Sequence, residues 1–279
     1  MIKKLFLLLF FLIIHFFSQA ELKKDSLKFA MLGWHFGANF GMYFADRTPA
    51  SFYNGSGENN LKATIIDNSY NYQAIRSALN YDFSIDSTSL PKKMKYSPAI
   101  NIGFIAKYNF NKKTGYFIEF NYAKLKASDV FTIKIDSFNS TSEPSLKTEY
   151  LFGKEERIDF NIGINTIFGK LQKIKPYTEF GINMNNVKVL ESRAQVANMV
   201  YSLVPPNNTY YKVVQGGIGF GVFAGVGVQI IFTQNFLMHI GADISLKRIN
   251  LGTDKPYKPQ ETVFVRLLLR NVFASKEEE

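Results

Sequence analysis

The sequence predicts an all-β protein, a closed antiparallel transmembrane β-barrel that most simply has eight strands. Three observations predict it. Apolar residues recur at every second position in eight separate segments, which places them on one face of extended chain. The connections between those segments alternate short and long, as in bacterial outer-membrane barrels. The chain also opens with the features of a secretory signal. So much alternating sequence presents one apolar face per strand, and no helical layer is available to cover it. Closure with that face toward lipid resolves the problem.

The N-terminal segment comes first. Met1-Ile2-Lys3-Lys4 supplies the charge, Leu5 to Phe17 the apolar stretch, and Ser18-Gln19-Ala20 the small residues of a cleavage site. Residues 1–20 therefore read as a signal peptide, 21–30 as a periplasmic N-terminal segment, 31–273 as the barrel, and 274–279 as a charged C-terminal tail. Later apolar runs are too short for a spanning helix.

The first strand carries Trp34, Phe36, Ala38, Phe40, Met42 and Phe44 on its apolar face, and the second Ile100, Ile102, Phe104, Ala106, Tyr108 and Phe110. Tyr116 to Tyr122 and Ile158 to Ile164 supply the third and fourth. Thr178, Phe180, Ile182 and Met184 make a weaker fifth. The sixth, Ile218 to Ile230, alternates apolar residues with glycine; Gly217, Gly219, Gly221, Gly225 and Gly227 face inward and make room for long side chains opposite. Its GxGxxG-like spacing precedes no helix, so a dinucleotide site is not indicated. Phe236 to Leu246 and Val263 to Phe273 complete the set.

Short turns fall at 111–115, 169–175 and 233–235, and long connections at about 45–98, 126–156, 187–213 and 250–261. This places the short turns in the periplasm and the long connections outside. Ten strands are the alternative, with extra pairs in 60–95 or 126–156, where Val130 to Ile135 would extend the third strand beyond the membrane. An aromatic girdle at the short-turn end is predicted from Tyr108, Phe110, Tyr116, Phe168, Tyr177, Phe232, Phe236 and Phe273. An outer girdle is predicted from Tyr43, Phe44, Tyr211 and Phe264.

Composition narrows the function. The formal net charge is +10, yet the basic residues form no single stripe, so nucleic acid is not a predicted partner. Cysteine is absent, which removes disulfides and thiolate chemistry. No cofactor is called for. Outer-membrane lipid is the expected surrounding, with envelope or secretion proteins as candidate partners.

One polar side chain per strand lies on the inward face near the short-turn end: His35, Lys107, Glu119, Asn165, Glu179, Gln229, His239 and Arg270. Asn39, Asn121, Asp159, Asn161, Asn183, Asp243 and Arg266 follow further along. An eight-stranded barrel is nearly filled by such side chains, and buried charges must pair. Glu119 and Glu179 are expected to balance Lys107 and Arg270. The belt is either a salt-bridged plug or a narrow polar path, with the plug favoured by strand number. His35 and His239 beside a carboxylate have the makings of a metal or acid–base site, but they also suit a polar lumen, and a non-enzymatic role is expected.

The long connections are the other candidates. Tyr53, Tyr70, Tyr72 and Tyr81 stand in the first, whose 70–80 stretch has helical character. Val196, Met199, Tyr201 and Leu203 belong to an unusually apolar third long connection, read as packing over the barrel mouth, dipping toward lipid or meeting another protein.

The run Gly33 to Gly41, the segment Lys175-Pro176-Tyr177-Thr178-Glu179-Phe180-Gly181 and the glycine strand 216–229 resemble small outer-membrane barrels of Bacteroidota often called PorT-like. The resemblance lies in pattern rather than in a diagnostic motif. It implies an eight-stranded outer-membrane barrel, sometimes an accessory part of secretion and gliding machinery, and it supplies no catalytic residues. The chain departs from the usual barrel ending, since six polar residues follow Phe273. The expected function is that of a structural or accessory subunit acting through the long external loops, with porin-like passage of ions or small solutes as the alternative.

Overall fold

The computed structural model describes residues 32–136, 144–169, 173–204, 215–252 and 256–270. The signal peptide, the 21–30 segment, the C-terminal tail, Tyr211 and Phe273 lie outside the described residues.

Two-residue alternation becomes strands wherever it was predicted. In chain order they are β1 (Gly33–Phe44), β2 (Phe83–Ile85), β3 (Ala99–Asn109), β4 (Thr114–Ile135), β5 (Ser145–Ile167), β6 (Ile174–Val196), β7 (Met199–Ser202), β8 (Gly216–Ile231), β9 (Phe236–Arg248) and β10 (Tyr257–Arg270). The pairing path runs β4-β3-β1-β10-β9-β8-β6-β5, and β5 pairs back to β4. The ring is therefore closed and antiparallel with eight members, while β2 and β7 pair outside it, on the ends of β4 and β6. Closure leaves no open edge among the spanning strands, as a hydrocarbon environment demands.

Within the barrel the outer face carries even numbers, except on β10, where it carries odd ones. Phe104 is 72% exposed and Val226 62%, in company with Trp34, Phe40, Ile100, Phe180, Ile182, Phe220 and Leu269. A continuous apolar band of this kind faces lipid, because exposing it to water would forfeit the burial that stabilises any fold. At the short-turn end the band finishes in aromatic pairs: Trp34 with Tyr108 at 5.1 Å, Phe110 with Tyr116 at 5.1 Å and Phe232 with Phe236 at 5.3 Å. Tyr177 is not part of that girdle. Its odd position turns it into the lumen, where it is buried. Tyr43, also at an odd position, and Phe264, on β10 where the inward face is the even one, were expected in the outer girdle and are buried inside.

The largest elaboration lies at the other end. The 126–156 connection is mostly strand, with Val130 to Ile135 extending the third predicted strand as the alternative reading allowed, and β4, β5 and β6 run 22, 23 and 23 residues. Their distal halves stand beyond the barrel as a sheet, extended by β2 and by the β6–β7 hairpin. Ala197 and Asn198 make that hairpin turn with φ of 50° and 66°, the left-handed pair that matches strand twist. The first long connection folds back over this sheet. It contains a 3₁₀ turn (Thr48–Tyr53), α1 (Leu61–Ile65) and α2 (Ser69–Leu79). Asn60 and Asn68 accept hydrogen bonds from Ala63 and Asn71 N–H groups to start the helices. Asn80 at φ 61° ends α2.

The result is a folded cap with its own core: Tyr53, Leu61, Ile65, Ile75, Phe83, Met94, Phe131, Ile133, Leu151, Val196 and Leu203. Tyr53 packs against the backbone of Gly153, a position where a Cβ would collide with the tyrosine ring.

Candidate functional site

Three layers of polar side chains fill the lumen, and a fourth closes its mouth. The lowest contains most of the predicted belt. His35, Lys107, Asn165, Gln229 and His239 are all buried there. Register brings them together: His35 lies between Lys107 and Arg270, and Gln229 lies opposite His239. Lys107 Nζ donates to Asn165 Oδ1 at 2.7 Å, and His239 Nε2 lies 3.0 Å from Gln229 Oε1. Arg270 sits at the rim, half-buried, where its Nε donates to the Leu32 carbonyl at 3.2 Å. It does not balance a belt glutamate.

That task falls to Arg266, in the next layer. β10 directs its guanidinium across the barrel toward β4 and β6. Nε and an Nη donate to Glu119 at 2.7 and 3.1 Å, and the Nη pair donates to Glu179 at 2.7 and 2.9 Å. The planar fork engages both carboxylates bidentately. Phe264 stacks on the guanidinium at 3.8 Å, and Asn39 and Asn161 donate to the Glu119 carboxylate. All three charged groups are fully enclosed. Arg266 thus takes the place expected of Arg270, while Lys107, hydrogen-bonded to Asn165, acts on Glu179 only through its charge. Strand shear offsets depths counted from turns, and Arg266 lies two inward positions further along than Arg270, with Leu268 between them.

Glycines make this possible. Any Cβ at Gly225 would press on the Glu179 side chain, and one at Gly227 would press on Tyr177. The glycine-rich strand thus leaves the space that the opposite side chains occupy.

Above Arg266, Lys247 Nζ donates to Asp159 Oδ1 at 2.6 Å, and Asn183 Nδ2 links Asp159 to Asn161. The mouth layer joins barrel to cap. Arg157 donates to Glu155 at 2.7 Å and, through one Nη, to Tyr43 Oη and Gln260 Oε1, each at 3.1 Å. From the cap side, Tyr53 and Tyr96 hydroxyls donate to Glu155 Oε2 at 2.7 and 2.9 Å. Burial, reinforced by the Glu155 carboxylate, pushes both tyrosine hydroxyls well above their ordinary range, so they remain donors.

The predicted loop residues divide. Tyr53, Val196 and Leu203 are buried in the cap core and are not available to a partner. Tyr72 is partly buried, stacked on Phe83 at 5.0 Å. Met199 and Tyr201 pack partly against the same core, with Tyr201 Oη 3.4 Å from Met199 Sδ. Tyr70, 82% exposed, and Tyr81 remain on the surface. Among the described residues no group of three or more His, Cys, Asp or Glu side chains is arranged to hold a metal.

No family model and no curated protein matches this sequence. Solved structures do align. Neisserial surface protein A is 9% identical, with 86% of this chain and 97% of its own covered at a TM-score of 0.45. The outer membrane protein OprG from Pseudomonas aeruginosa is 8% identical, covering 86% and 94% at 0.42. Outer Membrane Protein W of E. coli is 14% identical, covering 86% and 98% at 0.35. The closed strand ring and its apolar belt define this chain's fold: an eight-stranded transmembrane β-barrel.

Proposed function

We propose that this chain is a non-enzymatic outer-membrane barrel of the PorT-like kind in Bacteroidota, exported by its N-terminal 20 residues, and that it serves as a structural or accessory subunit of an envelope or secretion assembly. One observation carries the reading. The molecule invests its long connections in a folded cap with a continuous core, while its lumen is crossed by an ion-paired plug. Such a cap is a rigid platform for contacts outside the membrane, and rigid scaffolds that display surface segments commonly bind partners. Tyr70 on α2 and Val200 on β7, 82% and 58% exposed, stand on that platform.

A photo-crosslinking amino acid at position 70 or 200, in cells of native origin, tests it. Covalent adducts with defined envelope proteins at these positions, absent from Phe104 in the lipid belt, are expected. Equal and diffuse labelling at all three positions would overturn the accessory reading.

Narrow-lumen passage is the second reading, favoured by the polar lower lumen. There the Asn109 amide, Gln229 Nε2 and Tyr177 Oη are buried without a hydrogen-bond partner among the described residues. Such passage would require the Arg266 bridges to part.

A further inference from the structure

The outward face of the projecting β4–β5–β6 sheet continues the lipid-facing surface, and its chemistry changes in order along the strands. On β4 the outward residues run Ile118, Phe120 and Tyr122, then Lys124 and Lys126, then Ser128 and Val130. On β5, reading the same way, they run Ile162, Phe160 and Ile158, then Glu156 and Lys154, then Phe152 and Tyr150. β6 contributes Ile182 and Met184, then Lys188, and after a register shift Glu191, Arg193 and Gln195. An apolar band thus gives way to a charged step, and the step to an aromatic one. Each outward position advances about 7 Å along the strand.

The charged step is predominantly basic. Lys126 stands directly across from Lys154 on neighbouring strands, a like-charge pairing that destabilises a sheet. Lys154 and Arg193 share the single carboxylate of Glu191, at 2.9 and 3.7 Å, and Lys188 lies 3.6 Å from Glu156. An anion seated over Lys126 and Lys154 would relieve that excess.

The aromatic step has a different character. Tyr150 and Phe152 lie parallel, with ring centroids 6.1 Å apart and planes at 20°. They border an open groove of about 490 Å³ with Ser128, Asp129, Val130 and Gln195. Flat aromatic faces beside carboxylate, amide and hydroxyl groups suit a sugar ring, whose C–H face stacks while its hydroxyls hydrogen-bond.

Acyl chains, then phosphate, then a further sugar, in that order outward, are the parts of a lipooligosaccharide, in which an acylated and phosphorylated sugar headgroup carries core sugars beyond it. We propose that this face docks such a glycolipid, with acyl chains on the belt at Phe120 and Ile158, a phosphate over Lys126 and Lys154, and a sugar ring on Tyr150 and Phe152. Continuity with the lipid-facing belt and the basic excess both favour this occupant. The inference rests on the outward orientation of the long connections adopted above, and it does not depend on a protein partner.

The full chain in detergent, titrated with purified lipooligosaccharide (lipid A bearing core sugars) or with phosphatidylglycerol, tests it by native mass spectrometry. The lipooligosaccharide is expected to bind the wild type at least about tenfold more tightly than phosphatidylglycerol. Lys126→Gln with Lys154→Gln, and separately Tyr150→Ser with Phe152→Ser, are each expected to weaken lipooligosaccharide binding by about tenfold or more. The single changes Lys126→Gln and Tyr150→Ser, at exposed side chains, repeat the test should either pair disturb folding as read by circular dichroism. Unchanged binding in folded variants would overturn the proposal. So would equal affinity for phosphatidylglycerol, which would assign the surface to phosphate alone, or a dimer abolished by Tyr150→Ser, which would assign it to a second copy of the chain.

Discussion

The barrel and its cap are built from the same strands with opposite polarity. Within the membrane, β4, β5 and β6 place Phe120, Phe160 and Phe180 outward and Glu119, Asn161 and Glu179 inward. From the charged step outward the same strands place Phe131, Leu151 and Val196 inward, under the helices, and turn Lys124, Lys126, Lys154 and Arg193 outward, with Tyr150 and Phe152 beyond them. The surrounding medium sets the difference. Lipid takes apolar side chains at no cost and leaves the enclosed face to polar groups that must satisfy one another. Water restores the ordinary rule, in which apolar groups fill the enclosed face. One strand can obey both because its two faces alternate independently.

Breaking the barrel side of this comparison should have the larger effect. Arg266→Met leaves Glu119 and Glu179 enclosed without a counter-ion, and a loss of about 3–5 kcal/mol in denaturant unfolding is expected. Adding Glu119→Gln and Glu179→Gln should recover most of it, because no enclosed carboxylate is then left without its guanidinium. A single and a triple variant of equal stability would show that the bridge is not what the lumen is organised around.

The cap responds to size rather than charge. Gly153→Ala would push its methyl group into the Tyr53 ring and displace the hydroxyl from Glu155. A cost of about 1–3 kcal/mol is expected, confined to the cap. Trypsin should then cut the first long connection near Lys62 or Arg76 while the barrel fragment survives; cleavage at the wild-type rate would refute it.

A smaller effect separates the two regions by pH. Tyr53 and Tyr96 have raised hydroxyl pKa values in the folded cap, against 10.0 as the ordinary value. Folding therefore favours the protonated form. Stability from this source is fully present below about pH 10 and is lost as pH rises beyond it, when the unfolded chain releases protons first. Tyrosinate absorbance and cap proteolysis should both stay flat to about pH 9 and rise together above pH 10. Cap proteolysis that rises well below pH 9 would contradict the assignment.

Side-chain parity was readable from the sequence because it needs only a two-residue period. Eight ring strands, the lipid face and the enclosure of His35, Lys107, Glu119, Asn165, Glu179, Gln229 and His239 all follow from it. Depth was not readable. Pairing across the lumen depends on shear, so Arg266 rather than Arg270 holds the glutamates, and Tyr177 was placed on the wrong face when its odd position already pointed inward. The cap was hidden for another reason. Val130 to Ile135 and Ala194 to Val196 alternate as membrane strands do, and no local feature states whether lipid or a helix covers the apolar side. The apolar run 194–203 looked exposed because its turn, Ala197-Asn198, lacks the glycine that usually marks a tight hairpin.

The central claim is that the Arg266 layer and the Glu155 mouth layer close the lumen, leaving the cap as the working end. Conductance of the purified full chain in a planar bilayer tests this most directly. The account predicts no discrete current steps from the wild-type protein at moderate voltage. Reproducible single-channel steps from the wild type would contradict it and make the lumen, rather than the cap, the functional site.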